Sequence, residues 1–201
     1  MPPPVVVFGA SWAQEGDALY KESERLGAAL ARAGFGVCSG GYGGTMEGVS
    51  RGAAEAVPSS EREGVIVSSL FPYRDGGGAV GNAYLNRVTD EVDLLARIRT
   101  MTQRSRVFVV MRGTLGTLTE VACVWNMAAL RAQAGQPPLC VLVYRDPWEA
   151  ALKAMGAALG ISDAHMSAIR FVDDAEGVVT AVQAFHASEV GEAEVGGAAA
   201  Q

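Results

Sequence analysis

The sequence predicts an α/β protein of three layers, α/β/α, with a mostly parallel sheet and helices on both faces. Three observations carry this. Short apolar runs recur at Val5–Phe8, Phe35–Ser39, Val65–Ser69, Val107–Val110, Leu139–Tyr144 and Ile169–Val172. Stretches with apolar residues at helical spacing lie between them, as at Ala18, Leu19, Leu26, Ala29, Leu30 and Ala33. Strands and helices alternate along the chain, the pattern of βαβ units in a parallel sheet. The 201 residues, 49% of them hydrophobic, suit one domain with a sizeable core. Residues 1–185 are expected to form it, and the small, acidic stretch 186–201 to fray.

Each element has its own signal. Val5–Phe8 is a buried strand, followed by a turn at Gly9, Ala10 and Ser11. A helix over 17–33 stops at Gly34. After the strand Phe35–Ser39 come Gly40, Gly41, Gly43 and Gly44, and Thr45 opens a helix to Ala56 with Met46, Val49 and Ala53 on one face. Residues 70–84 are Gly-rich and irregular, long enough for a functional loop. A short strand at Asn86–Thr89 precedes a helix over 90–105. Val107–Val110 leads into a loop with Gly113 and Gly116. Thr117-x-x-Glu120 reads as a capping box, so a helix is expected from Thr117 to Ala134, stopped by Gly135 and Pro137. Helices at Trp148–Leu159 and Ala175–Phe185 flank the last strand.

Composition excludes several classes. The formal net charge of −6 argues against a general nucleic-acid binder. Cys38, Cys123 and Cys140 are far apart, with neither zinc spacing nor a disulfide framework, which suits a reducing cytoplasm. The N-terminus carries no signal-peptide pattern, and no run approaches the roughly 20 apolar residues of a membrane span. There is no P-loop motif and no GxGxxG after the first strand. Lys21 and Lys153 lie away from the Gly loops, which argues against Schiff-base chemistry. His165 and His186, late in the chain, are read as surface residues.

Two units combine a strand, a Gly loop and a helix start, one at Gly40–Thr45 and one at Gly113–Thr117. Helix N-termini present free N–H groups and a favourable dipole to anions, and glycine lets a phosphate come close. The two loops are expected to flank one crevice at the carboxyl ends of the strands. The expected phosphate-binding and substrate-binding residues are Ser11, Gly40, Gly41, Gly43, Gly44, Thr45, Glu47, Gly113, Thr114, Gly116 and Thr117. No metal and no cofactor is expected.

Arg112–Glu120, RGTLGTLTE, resembles the PGGxGTxxE motif of the Lonely Guy family, also labelled lysine-decarboxylase-like. SGGYGGTMEGVSRGA (Ser39–Ala53) resembles that family's first Gly loop, and the similarity extends over about Val5–Leu159. The resemblance implies a Rossmann-like fold, a homodimer, and a phosphoribohydrolase acting on a nucleoside 5′-monophosphate such as a cytokinin precursor or AMP. The apolar helix around Trp125, from Val121 to Leu130, agrees with a dimer contact. The hydrolytic pair carries over to Arg97 and Glu120. A carboxylate there stabilises oxocarbenium character at the ribose or activates water, and an Arg keeps it ionised.

The chain departs from the motif at three positions. Arg112 stands for the Pro, Thr114 for the second Gly, and Ile98 for the Lys after the Arg. Thr114 places a Cβ near the phosphate position and resists positive φ. These changes favour a second reading, a non-catalytic carrier or sensor of a phosphorylated nucleotide or of a pterin such as the molybdenum cofactor. The expected partner is a small molecule, with neither nucleic acid nor membrane.

Overall fold

The computed structural model describes residues 2–70 and 81–198. Its strands are β1 (Val5–Phe8), β2 (Val37–Ser39), β3 (Arg62–Ile66), β4 (Arg87–Asp90), β5 (Val107–Val110), β6 (Cys140–Tyr144) and β7 (Arg170–Val172). The helices are α1 (Ala18–Arg32), α2 (Thr45–Ala56), α3 (Leu94–Arg104), α4 (Leu115–Gln133), α5 (Arg145–Leu159), α6 (Asp163–Met166) and α7 (Ala175–Ala198). The strands form one sheet in the order β4-β3-β2-β1-β5-β6-β7, and every pair is parallel.

The alternation of side chains in β1 and β5 builds both cores. Val5, Val7, Val107 and Val109 face α1, α2 and α7 through Leu26, Leu30, Val49 and Val178. Val6, Phe8, Phe108 and Val110 face α3, α4 and α5 through Met101, Val121, Val124 and Leu152. Strands covered on both sides read as continuous apolar runs, which is why these two were plain in the sequence. The chain leaves β1 toward β4, then returns to place β5 on the other side of β1. Strand order therefore reverses between β1 and β5, and a crevice opens above their carboxyl ends.

Several boundaries differ from expectation, each for a physical reason. The third strand spans Arg62–Ile66 rather than Val65–Ser69, because it starts with two buried charged residues. Arg62 donates to the carbonyls of Tyr84, Pro58 and Ser60. The Glu63 carboxylate accepts from Arg104 Nε at 3.1 and 3.0 Å and from Thr89 Oγ1 at 2.8 Å. Asp90 belongs to β4, and α3 starts later because Asp93 caps it, accepting from the Ala96 amide at 2.8 Å. The last helix runs to Ala198 instead of Phe185, through Ala and Glu residues of good helix propensity. His186, at the start of the expected frayed stretch, stacks on Phe35 with ring centroids 5.2 Å apart. Most of the expected functional loop, 71–80, lies outside the described residues.

Candidate functional site

A cleft of about 170 Å³ lies above the carboxyl ends of β1, β2 and β5. Gly9, Ala10 and Ser11 from the β1 loop line it, with Gly40, Tyr42 and Met46 from the β2 loop and the start of α2. Leu94, Arg97 and Ile98 come from α3, and Thr114, Gly116, Thr117, Thr119 and Glu120 from the start of α4.

One residue ties the three loops. The Ala10 amide donates to the Arg112 carbonyl at 2.9 Å, and the Ala10 carbonyl accepts from Thr45 N at 2.8 Å and Thr45 Oγ1 at 2.9 Å. Gly44 precedes Thr45 at φ 70°, with its α-carbon pressed against Ala10 and Ser11, so a side chain there meets both strain and a clash.

Arg97 and Glu120 form the floor. Arg97 Nε donates to the Val65 carbonyl at 2.7 Å, and its guanidinium lies 5.7 Å from the centroid of the Tyr42 ring. Its Nη1 stands 3.5 Å from Glu120 Oε1. Arg97 is 7% exposed and Glu120 8%. Burial pushes the Glu120 carboxyl up to about 7, with Arg97 pulling the other way. Among the described residues Arg97 is the charged partner of Glu120, and no protein hydrogen bond reaches the carboxylate.

The expected capping box is not formed. α4 starts at Leu115 with Thr114 as N-cap, which puts Thr117 and Glu120 inside the helix as buried residues facing the cleft. The Thr114 side chain makes no cap hydrogen bond, so the first-turn amides of α4 stay open toward the cleft. Thr114 has φ −117°, so the expected resistance to positive φ does not arise. Arg112 lies outside the cleft lining, 3.6 Å from Asp146 on the surface.

The structure brings Ser11, Gly40, Arg97, Thr114, Gly116, Thr117 and Glu120 together in the cleft lining. It leaves Gly41, Gly43, Gly44, Thr45, Glu47 and Gly113 out of the lining. Gly41 N donates to Ser39 Oγ and Gly41 O accepts from the Asn82 amide. Thr45 is engaged with Ala10. Glu47 turns away and accepts from Tyr20 OH at 3.0 Å. Gly113 packs beneath the Thr117 side chain. Tyr42, Met46 and Leu94 were missed. Their signal was position: Tyr42 and Met46 sit within the first Gly loop and its helix, and Leu94 lies one turn before Arg97.

Within the apolar stretch Val121–Leu130, Trp125 faces inward. It is buried in the core with Val121 and Val124, and its Nε1 donates to the His165 carbonyl at 2.7 Å. Near the cleft Leu94, Leu95 and Leu115 are exposed, at 40%, 72% and 75%, and on that stretch Leu130 is exposed at 52%. Among the described residues no group of three or more His, Cys, Asp or Glu is placed to hold a metal, and no helix is long and apolar enough to cross a membrane.

The model of the SLOG cluster4 family matches residues 3–130. Among proteins of curated function none matches the sequence significantly. The molybdenum cofactor binding protein from the phototrophic bacterium Rippkaea orientalis has a similar structure, with a TM-score of 0.70 at 18% identity, covering 92% of this chain and 97% of that one. The molybdenum cofactor carrier protein of Chlamydomonas reinhardtii gives 0.67 at 22% identity, over 92% of this chain and 99% of that one. These neighbours correct the expectation of a phosphoribohydrolase, since they are named for binding and carrying a cofactor.

Proposed function

The chain belongs to the SLOG cluster4 family, and from that premise we propose that it is a non-catalytic carrier of a phosphorylated pterin such as the molybdenum cofactor. Kinship with the Lonely Guy group is part of this reading, supported by RGTLGTLTE at Arg112–Glu120. The observation that carries the site is the open N-terminus of α4 at the reversal of strand order. Its first-turn amides and helix dipole favour a phosphate beside Thr114, Gly116 and Thr117. Gly116 has open space where a side chain would stand, so an anion can come close to the backbone. Behind it Tyr42, Met46, Leu94 and Ile98 offer an apolar wall for a flat ring.

Carriage rather than turnover follows from what the ligand meets. Its phosphate meets backbone amides and its ring meets packed side chains. A homodimer belongs to this proposal, with Leu95 and Leu115 as the contact near the cleft mouth.

The test is to mix the purified protein with the molybdenum cofactor, separate by gel filtration, and identify the retained pterin by chromatography after oxidation. The expected result is near-stoichiometric retention of chemically unchanged ligand, and no free base from a panel of nucleoside monophosphates. Failure to retain the cofactor at micromolar protein would sink the proposal.

A further inference from the structure

Glu120 presents an unusual surplus of acceptors. Its carboxylate is buried to 8% exposure, faces the cleft, and meets one protein group, Arg97, at 3.5 Å. That distance is too long for a good hydrogen bond, so two oxygens with about four acceptor sites remain without donors from the described residues. Those oxygens border the open space of the cleft, where donors on a ligand can reach them.

The shape of the cleft narrows the ligand. Its ~170 Å³ volume falls below the roughly 300 Å³ at which pockets enclose a drug-sized molecule. The cleft therefore encloses one end of a ligand and leaves the rest toward solvent. Glu120 lies on the same face of α4 as Thr117, one turn further from the open N-terminus. A ligand with its phosphate at that N-terminus points its far edge inward, at the carboxylate. A planar carboxylate is matched by two parallel N–H donors on a rigid frame.

We infer that Glu120 reads the 2-amino-4-oxopyrimidine edge of its ligand, accepting from the exocyclic amine and the adjacent ring N–H. This edge is shared by pterins and guanine. The inference rests on the carrier reading and adds to it: the ring is held edge-on by Glu120, while Arg97, at 3.5 Å, supplies the charge that balances the carboxylate. Among the described residues, the other titratable or charged groups lining the cleft are Arg97 on α3 and Tyr42 on the β2 loop. Burial raises the free Glu120 carboxyl to about 7, so accepting two N–H donors requires a proton to leave below that pH.

The experiment measures binding by calorimetry for two matched pairs, a 6-substituted pterin phosphate against its 2-deamino analogue, and GMP against IMP. The wild type is expected to bind the 2-amino member of at least one pair roughly 10- to 100-fold more tightly, the worth of hydrogen bonds to a charged group. The pair that shows the preference distinguishes pterin from guanine. Glu120→Gln should erase most of that ratio while still binding the phosphate-bearing ligands. The wild-type ratio should also rise between pH 5.5 and 8, and that of Glu120→Gln should not. Equal binding of both members in both pairs overturns the inference and leaves the carrier reading standing. Absence of binding by all four ligands, with molybdenum cofactor retention also absent, overturns both.

Discussion

The guanidinium of Arg97 occupies the space that a side chain on Gly40 would need. Gly40 is thus a packing requirement of the cleft floor rather than a phosphate contact chosen for flexibility. Gly40→Ala forces Arg97 away from the Val65 carbonyl and the Tyr42 ring. The expected cost is on the order of 1–3 kcal/mol in a denaturant titration, with ligand affinity lowered at least tenfold. Unchanged affinity would show that Arg97 does not shape the site.

Glu120 makes stability depend on pH in a definite direction. Its pKa rises from 4.5 in the unfolded chain to about 7 in the folded protein. The stability linked to its proton is fully present below about 4.5 and is lost as pH rises through 7, up to roughly 3 kcal/mol. Glu120→Gln keeps a neutral side chain throughout. Its melting temperature should match the wild type near pH 4.5 and exceed it near pH 8.5. A difference that stays constant over this range would contradict the burial argument.

Glu63 is a buried charge of the interior strand β3. It accepts from Arg104 and Thr89, with its side chain fully covered. Glu63→Ala removes the anion and leaves the Arg104 guanidinium partly buried without it. A loss of about 3–5 kcal/mol in the unfolding free energy is expected. By contrast, Arg112→Ala breaks only an exposed pair with Asp146 and should cost less than about 1 kcal/mol.

Thr114→Gly restores the glycine of the motif and gains nothing. The residue already has negative φ and its side chain makes no cap bond. The added freedom of the unfolded chain is expected to lower stability by about 0.4–1 kcal/mol, with phosphate-ligand affinity within about twofold of wild type. A large gain in affinity would indicate that the Thr114 side chain obstructs the anion.

Exposed Leu95 and Leu115 give the dimer proposal a direct test. The wild type should scatter light as a dimer at micromolar concentration, and Leu95→Asp with Leu115→Asp as a monomer of unchanged circular dichroism. A monomeric wild type would remove the proposal.

The sheet was legible where strands are covered on both faces, since Val5–Phe8 and Val107–Val110 are apolar without a break. β3 was misplaced because Arg62 and Glu63 are charged in sequence yet satisfied in the core, which hydropathy cannot register. The start of α4 was misread because Leu115 is exposed and Thr114 offers no cap, whereas Thr117 and Glu120 match the spacing of a capping box by facing the same cleft. Arg97 and Glu120 came from register against a known motif. Tyr42 and Met46 did not, since an apolar side chain in a loop reads as packing until the loop is folded over a cavity.

Ala10, bonded at once to Arg112 and Thr45, links the β1 loop to both of its neighbours. Exchange of its own amide reports parting from the Arg112 loop, and exchange of the Thr45 amide reports parting from the start of α2, so comparing the two protons shows whether the loops open together. On the carrier reading, a ligand seated above that knot would load without loosening it, at little cost in ordering entropy to the protein.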